Sequence, residues 1–231
     1  MHPPLAAVAE AHRRLGGALA GLTDDAVREP SLLPGWTRGH VLAHLADAAR
    51  ARTRAVEHAL RGEVVAMWAP GERDMIIDAT AGRTADEHRA AVAAQAEALE
   101  RVWSRVEDWP AFAPAVYTRW REVWIHLVDI DAGIGPADWP EDFADHAVGF
   151  LRERIPAGTS LTVTDVPREH TKATAGVAGP IRDLAAWLTG RGDGATLTGP
   201  LPQLGPWPRY GLKTPDRESG PASSEEECVS S

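Results

Sequence analysis

An apolar segment between Ala115 and Ala132 contains neither glycine nor proline, and its length favours a helix over a strand. Within it, Glu122 and His126 lie four residues apart, so a helix places their side chains one above the other on the same face. Nearly all neighbouring residues are apolar, and a carboxylate in such surroundings is rarely buried without a partner. The pair therefore predicts either a surface ion pair or two ligands of a divalent metal, whose third ligand must come from elsewhere in the chain.

Three other segments before this one have apolar residues at helical spacing: Pro4 to Leu22, Arg38 to Arg61, and Thr84 to Glu107. Thr37 is the expected N-cap of the second, and Thr84 with Glu87 has the form of a capping box at the start of the third. Four helices in this order predict an antiparallel bundle, in which facing helices commonly build metal sites from inward Glu and His side chains. The connection 62–82, with a turn at Pro70, is long enough to cover such a site.

The pattern changes after a fifth predicted helix, which runs from Asp142 to about Ile155. Alternation and β-branched residues then predict strands at 160–164, 171–177 and 195–198, with a short helix at 181–188. The fold class is accordingly α+β. We expect a helical bundle over residues 1–155, a small C-terminal α/β domain over 156–210, and a disordered acidic tail over 211–231.

The composition argues against several classes of protein. The formal net charge is −9 and the sequence has no basic block, which argues against binding to nucleic acid or to an anionic membrane surface. No apolar run reaches the roughly 18 residues of a membrane span, and we see no signal peptide at the N-terminus. Cys228 is the only cysteine, so a disulfide framework is excluded and a cytoplasmic location is expected. Thiol chemistry would then require a small-molecule thiol.

The third metal ligand is expected from the second predicted helix, where His40 and His44 both lie on the apolar stripe. Three nitrogen or oxygen ligands with one open position are typical of a catalytic Zn²⁺, although Fe²⁺, Co²⁺ and Ni²⁺ also accept such ligands. A histidine that only fills the core is the alternative for either residue. Asp47 and Asp129 each follow a candidate histidine by three residues, so each could orient an imidazole or remain a solvated carboxylate.

Two strings carry a resemblance to a known family: LPGWTRGHVLAHL at 33–45 and REVWIHLVD at 121–129. They resemble the mycothiol-dependent maleylpyruvate isomerases of the wider DinB-like family, and the resemblance extends over nearly the whole chain to about Trp207. It implies that His44, Glu122 and His126 hold the metal. It also implies that Arg191, in a Gly-Arg-Gly string, is the essential basic residue. His40 would then either support a metal ligand without binding the metal itself or fill the core.

The function that this resemblance implies is a cis-to-trans isomerisation of maleylpyruvate to fumarylpyruvate, in gentisate-type aromatic breakdown. Mycothiol would be the thiol cosubstrate, activated on zinc, and Arg191 would hold a substrate carboxylate or stabilise an enolate. One alternative keeps the site but conjugates mycothiol to an electrophile, as an S-transferase does. The other alternative is a metal-stabilised binding module without catalytic activity.

Overall fold

The computed structural model of the chain describes residues 3–165 and 176–208. In these residues the α-helices are α1 Leu5–Leu19, α2 Asp24–Arg28, α3 Arg38–Ala59, α4 Glu72–Thr80, α5 Ala85–Trp103, α6 Ala113–Asp129, α7 Glu141–Leu151 and α8 Ile181–Thr189. The strands are β1 Ser160–Val163 and β2 Gly176–Gly179, and short 3-10 turns cover Pro136–Asp138 and Arg152–Arg154. Across these two ranges, every helix is too short or too polar to cross a membrane.

The helical part is a bundle of four helices, α1, α3, α5 and α6. Helix α3 packs against α5 and α6, and α1 closes the ring by packing against the same two helices. Each helix contributes a fully buried leucine to the common core, namely Leu15, Leu45, Leu99 and Leu127. The expected α+β fold class is confirmed, and α3 and α6 are neighbours, as a site shared between them requires.

Local capping interactions fix where two of the bundle helices begin. Thr37 Oγ1 accepts a hydrogen bond from the backbone N–H of His40, and His40 Nδ1 accepts one from the backbone N–H of Thr37 at 3.2 Å. Thr84 and Glu87 form the predicted capping box at the start of α5. Both predicted helix starts are confirmed. Because α3 begins at Arg38, His44 falls on its second turn.

The long connection after α3 is more ordered than its sequence predicted. It contains α4, which packs against α3 and buries mainly Ile77. The carbonyl of Ala81, directly after α4, approaches the first turn of α3 so closely that a Cβ atom on Gly39 would lie 2.2 Å from its oxygen. Glycine at position 39 therefore allows the two segments to meet at the first turn of α3, one turn before His44.

The C-terminal elements form a small sheet and one packed helix. Strands β1 and β2 pair in parallel with Ser160 opposite Gly176, while the third predicted strand is reduced to a single bridge between Ala178 and Thr198. Helix α8 packs against α7, which ends at Leu151, four residues earlier than predicted. The predicted start of the second strand at 171–175 and the predicted tail at 211–231 lie outside the described residues.

Candidate active site

Three of the predicted site residues meet between α3 and α6. His44 Nε2 lies 3.6 Å from Glu122 Oε1, and the rings of His44 and His126 are 4.9 Å apart between centroids at an interplanar angle of 86°. His44 is buried, with a side-chain exposure of 8%, and Glu122 is nearly buried at 12%. The structure therefore brings His44, Glu122 and His126 together, and we call these three residues the trio.

Two arginines balance the charge of Glu122. Arg119 Nη1 donates to Glu122 Oε2 at 2.9 Å, and Arg52 Nη2 donates to the same oxygen at 3.4 Å. Burial by itself raises the pKa of Glu122, but the positive charges of Arg52 and Arg119 outweigh it and lower this pKa to about 2. Glu122 is thus a carboxylate at neutral pH, and its Oε1 atom faces His44.

His44 is held in the neutral form. Burial is the main cause that lowers the pKa of His44 to about 3, and the neighbouring His126 lowers it further. A neutral imidazole has an unprotonated ring nitrogen, which is the form that binds metal ions. Arg73, on α4, places its Nη2 atom 3.5 Å from His44 Nδ1 on the side of the ring away from Glu122.

Asp129 links His126 to Arg191. Its Oδ2 atom lies 2.8 Å from His126 Nδ1, while Arg191 donates from Nε to Oδ1 at 3.0 Å and from Nη2 to Oδ2 at 2.7 Å. Burial raises the pKa of Asp129, but the hydrogen bonds from His126 and Arg191 outweigh it and lower this pKa below its ordinary value. A carboxylate on one ring nitrogen fixes the orientation of an imidazole and leaves the other nitrogen for a ligand.

The remaining two polar candidates have other partners. Asp47 accepts hydrogen bonds from Arg50 Nε at 2.7 Å and from Trp68 Nε1 at 2.6 Å. His40 uses its Nδ1 atom in the cap of α3. In residues 3–165 and 176–208, the predicted carboxylate-to-imidazole contact is therefore made by Asp129 and not by Asp47.

Two donor atoms of the trio have the separation that a divalent cation requires. Bonds of about 2.0–2.2 Å from Zn²⁺ to nitrogen and oxygen place the ligand atoms of a tetrahedral centre about 3.4 Å apart, close to the 3.6 Å between His44 Nε2 and Glu122 Oε1. Over the part of the chain that the structure describes, however, no three His, Cys, Asp or Glu side chains are placed so that together they could hold a metal ion. The trio therefore matches Zn²⁺ in the chemistry of its donors and in one ligand separation, but as placed it does not form a metal site.

Sequence reasoning missed the buried polar residues behind the trio. Arg119 is fully buried, and its Nε donates to His12 Nε2 at 3.0 Å. His12 Nδ1 lies 2.6 Å from Glu100 Oε1. A row of polar side chains thus runs from the surface of α5 through α1 to Glu122. The contact between Arg119 and Glu122 could have been predicted, because residues three apart on a helix lie on the same face.

The comparison with protein families decides the assignment. A family model described as the mycothiol maleylpyruvate isomerase N-terminal domain matches residues 8–131, more than half of the chain. The chain belongs to this family. The expected membership is confirmed, as is the expectation that the chain is related to enzymes of this kind. No curated protein gives a match.

Solved structures of a maleylpyruvate isomerase share the fold. The crystal structure of the mycothiol-dependent maleylpyruvate isomerase has a TM-score of 0.74 with 24% identity, over 88% of this chain and 95% of the other. A histidine-to-alanine mutant of that isomerase gives a TM-score of 0.73 with the same identity and coverage. The isomerase-family region 8–131 contains the trio and Asp129, while Arg191 lies beyond it.

Proposed function

We propose that this protein is a mycothiol-dependent cis–trans isomerase that converts maleylpyruvate to fumarylpyruvate. The observation that carries the proposal is the meeting of His44 on α3 with Glu122 and His126 on α6. Family membership supports the choice of thiol and substrate, since both appear in the description of the family.

The trio would hold a divalent metal ion, and Zn²⁺ suits its two imidazoles and one carboxylate. Such an ion, when bound, lowers the pKa of a coordinated thiol and so makes a thiolate available near neutral pH. Two of the three donors are kept in the form that binds a metal ion. Burial holds the His44 imidazole neutral, and Arg52 and Arg119 keep Glu122 ionised.

The isomerisation requires the substrate's double bond to become temporarily single. A thiolate adds to the alkene carbon β to the ketone: a C–S bond forms, and the alkene electrons move to the carbonyl oxygen to give an enolate. Rotation about the resulting single bond brings the chain to the trans arrangement. The enolate then re-forms the C=C bond and expels the thiolate, so the thiol is regenerated and no oxidant or reductant is needed.

Arg191 is proposed to stabilise negative charge during this reaction, either on a substrate carboxylate or on the enolate oxygen. Toward described residues it donates two hydrogen bonds to Asp129 and one from Nη1 to the carbonyl of Thr189 at 2.6 Å. A guanidinium has five N–H groups, so two are left to donate to a ligand. Asp129 also orients His126, and the same carboxylate therefore positions both residues.

The test is turnover by the purified protein loaded with Zn²⁺ and supplied with mycothiol, followed as conversion of maleylpyruvate to fumarylpyruvate by proton NMR. We expect His44→Ala to lose both zinc and turnover while its far-UV circular dichroism is unchanged. The matched control is His58→Ala, since His58 lies on the same helix but pairs with Glu63. It should keep zinc and activity.

Absence of fumarylpyruvate with zinc bound and mycothiol present would overturn the proposal. If a stable mycothiol conjugate accumulated in its place, detected by mass spectrometry, the thiol-transfer alternative would replace isomerisation. Retention of one zinc per chain by His44→Ala would remove the trio as the metal site.

A further inference from the structure

The guanidinium of Arg73 lies beside the trio, and Arg73 belongs to α4 in the long connection between α3 and α5. Arg73 Nη2 lies 3.5 Å from His44 Nδ1, and the guanidinium carbon lies 5.7 Å from the centroid of the Trp36 ring. Trp36 also meets His44 edge-on, with 6.0 Å between ring centroids. Arg73, Trp36 and His44 therefore form one contiguous surface on the α4 side of the site.

Arg73 differs from the other arginines of the site in how its charge is used. Arg52, Arg119 and Arg191 all bind buried carboxylates, and their side chains are only 7%, 0% and 16% exposed. The side chain of Arg73 is 38% exposed, and its acidic partner is the adjacent Asp74, which is 73% exposed. Pairs of this exposed kind contribute little, because water screens them. The charge of Arg73 is thus available to an anion that enters the site.

The segment that carries Arg73 is anchored to α3. Trp68 Nε1 donates to Asp47 at 2.6 Å, and Arg54 Nη2 donates to the carbonyl oxygens of Ala66 at 2.7 Å and Met67 at 2.9 Å. These hydrogen bonds hold the chain immediately before α4 against the helix that supplies His44. The backbone leading to Arg73 is pre-organised in this way, so less conformational entropy is lost when the segment takes part in binding a ligand.

We propose that Arg73 is a substrate-specificity residue that binds a carboxylate of the substrate; this rests on the function proposed above. Arg73 approaches the trio next to His44, whereas Arg191 approaches it through Asp129 next to His126. The two histidine rings, 4.9 Å apart, therefore have a guanidinium on each flank. Such a site selects dicarboxylates, with one end held by Arg73 and the other by Arg191, over monocarboxylates of the same length.

The test compares Arg73→Gln and Arg73→Lys with a control that changes the net charge equally. Arg101→Gln is that control, since Arg101 is 69% exposed on α5. We expect Arg73→Gln to raise the KM for maleylpyruvate about 10- to 100-fold, the range for losing a hydrogen bond to a charged group. The KM for mycothiol and the zinc content should stay at wild-type values. Arg73→Lys should recover part of the loss, and Arg101→Gln should show none.

A binding measurement separates this proposal from the isomerase proposal. Maleate, a cis dicarboxylate, is titrated into metal-free protein by calorimetry, and Arg73→Gln should weaken its binding by a similar factor. If wild type binds maleate through Arg73 but does not isomerise maleylpyruvate, the reaction is wrong and the carboxylate site stands. If turnover is normal and Arg73→Gln keeps the wild-type KM and maleate affinity, the role of Arg73 is wrong and the reaction stands.

Discussion

Arg119 gives the sharpest test of the polar interior, because it has no exposure to water and contacts residues on α1, on α3 and on its own helix α6. It donates from Nη1 to Glu122 Oε2 and to the carbonyl of Leu45, both at 2.9 Å, and from Nε to His12 at 3.0 Å. The change Arg119→Met keeps an unbranched side chain and removes the charge. It leaves Glu122 buried, with Arg52 at 3.4 Å as its remaining arginine among the described residues.

The expected loss follows from the burial of the pair. Removing one partner of a buried ion pair costs about 3–5 kcal/mol, since the other charge stays buried without full compensation. For a chain of 231 residues, each kcal/mol lowers Tm by about 2–4 °C, so we expect a decrease of about 6–20 °C. Arg119→Lys keeps the charge but not the forked geometry, and its loss should be smaller.

The assay is thermal and urea unfolding of chelator-treated protein, each followed by far-UV circular dichroism. The chelator is needed because a bound metal would add its own stabilisation. The double variant Arg119→Met with Glu122→Gln removes both charges and should be more stable than Arg119→Met alone. Arg101→Met serves as the exposed control. A loss below about 1 kcal/mol for Arg119→Met, typical of exposed pairs, would refute the reasoning. So would a double variant that is destabilised as much as Arg119→Met alone.

Three further expectations concern the core, a close backbone contact and the metal site. Burial lowers the pKa of His12 from 6.5 to about 3, so between these pH values the unfolded chain binds a proton that the native chain does not. The free energy of unfolding should therefore fall as the pH drops below about 6.5, and His12→Gln should make this fall smaller in urea titrations at different pH values. Gly39→Ala should destabilise by about 1–3 kcal/mol in the same assay, whereas Gly16→Ala, which meets open space, should not. Asp129→Asn should weaken zinc binding by about 10- to 100-fold in a chelator competition, because it removes the group that orients His126.

Much of the bundle was predictable because its signals are local. Helical spacing of apolar residues identified the helices α1, α3, α5 and α6, and the caps at Thr37 and Thr84 identified two of their starts. The same periodicity put Glu122 and His126 on one face of α6. A short segment such as α4, with Ile77 as its one buried residue, carries too weak a pattern to be recognised.

The sequence by itself determined which residues share a helix face, since that depends only on the 3.6-residue turn within one helix. The tertiary structure decided which faces meet. Arg52 reaches Glu122 across 70 positions, and Arg191 reaches Asp129 across 62, through contacts that depend on the rotation and axial stagger of packed helices. Local periodicity carries no information about rotation or stagger, so the charge balance of Glu122 and the approach of Arg73 to His44 became visible only in the folded chain.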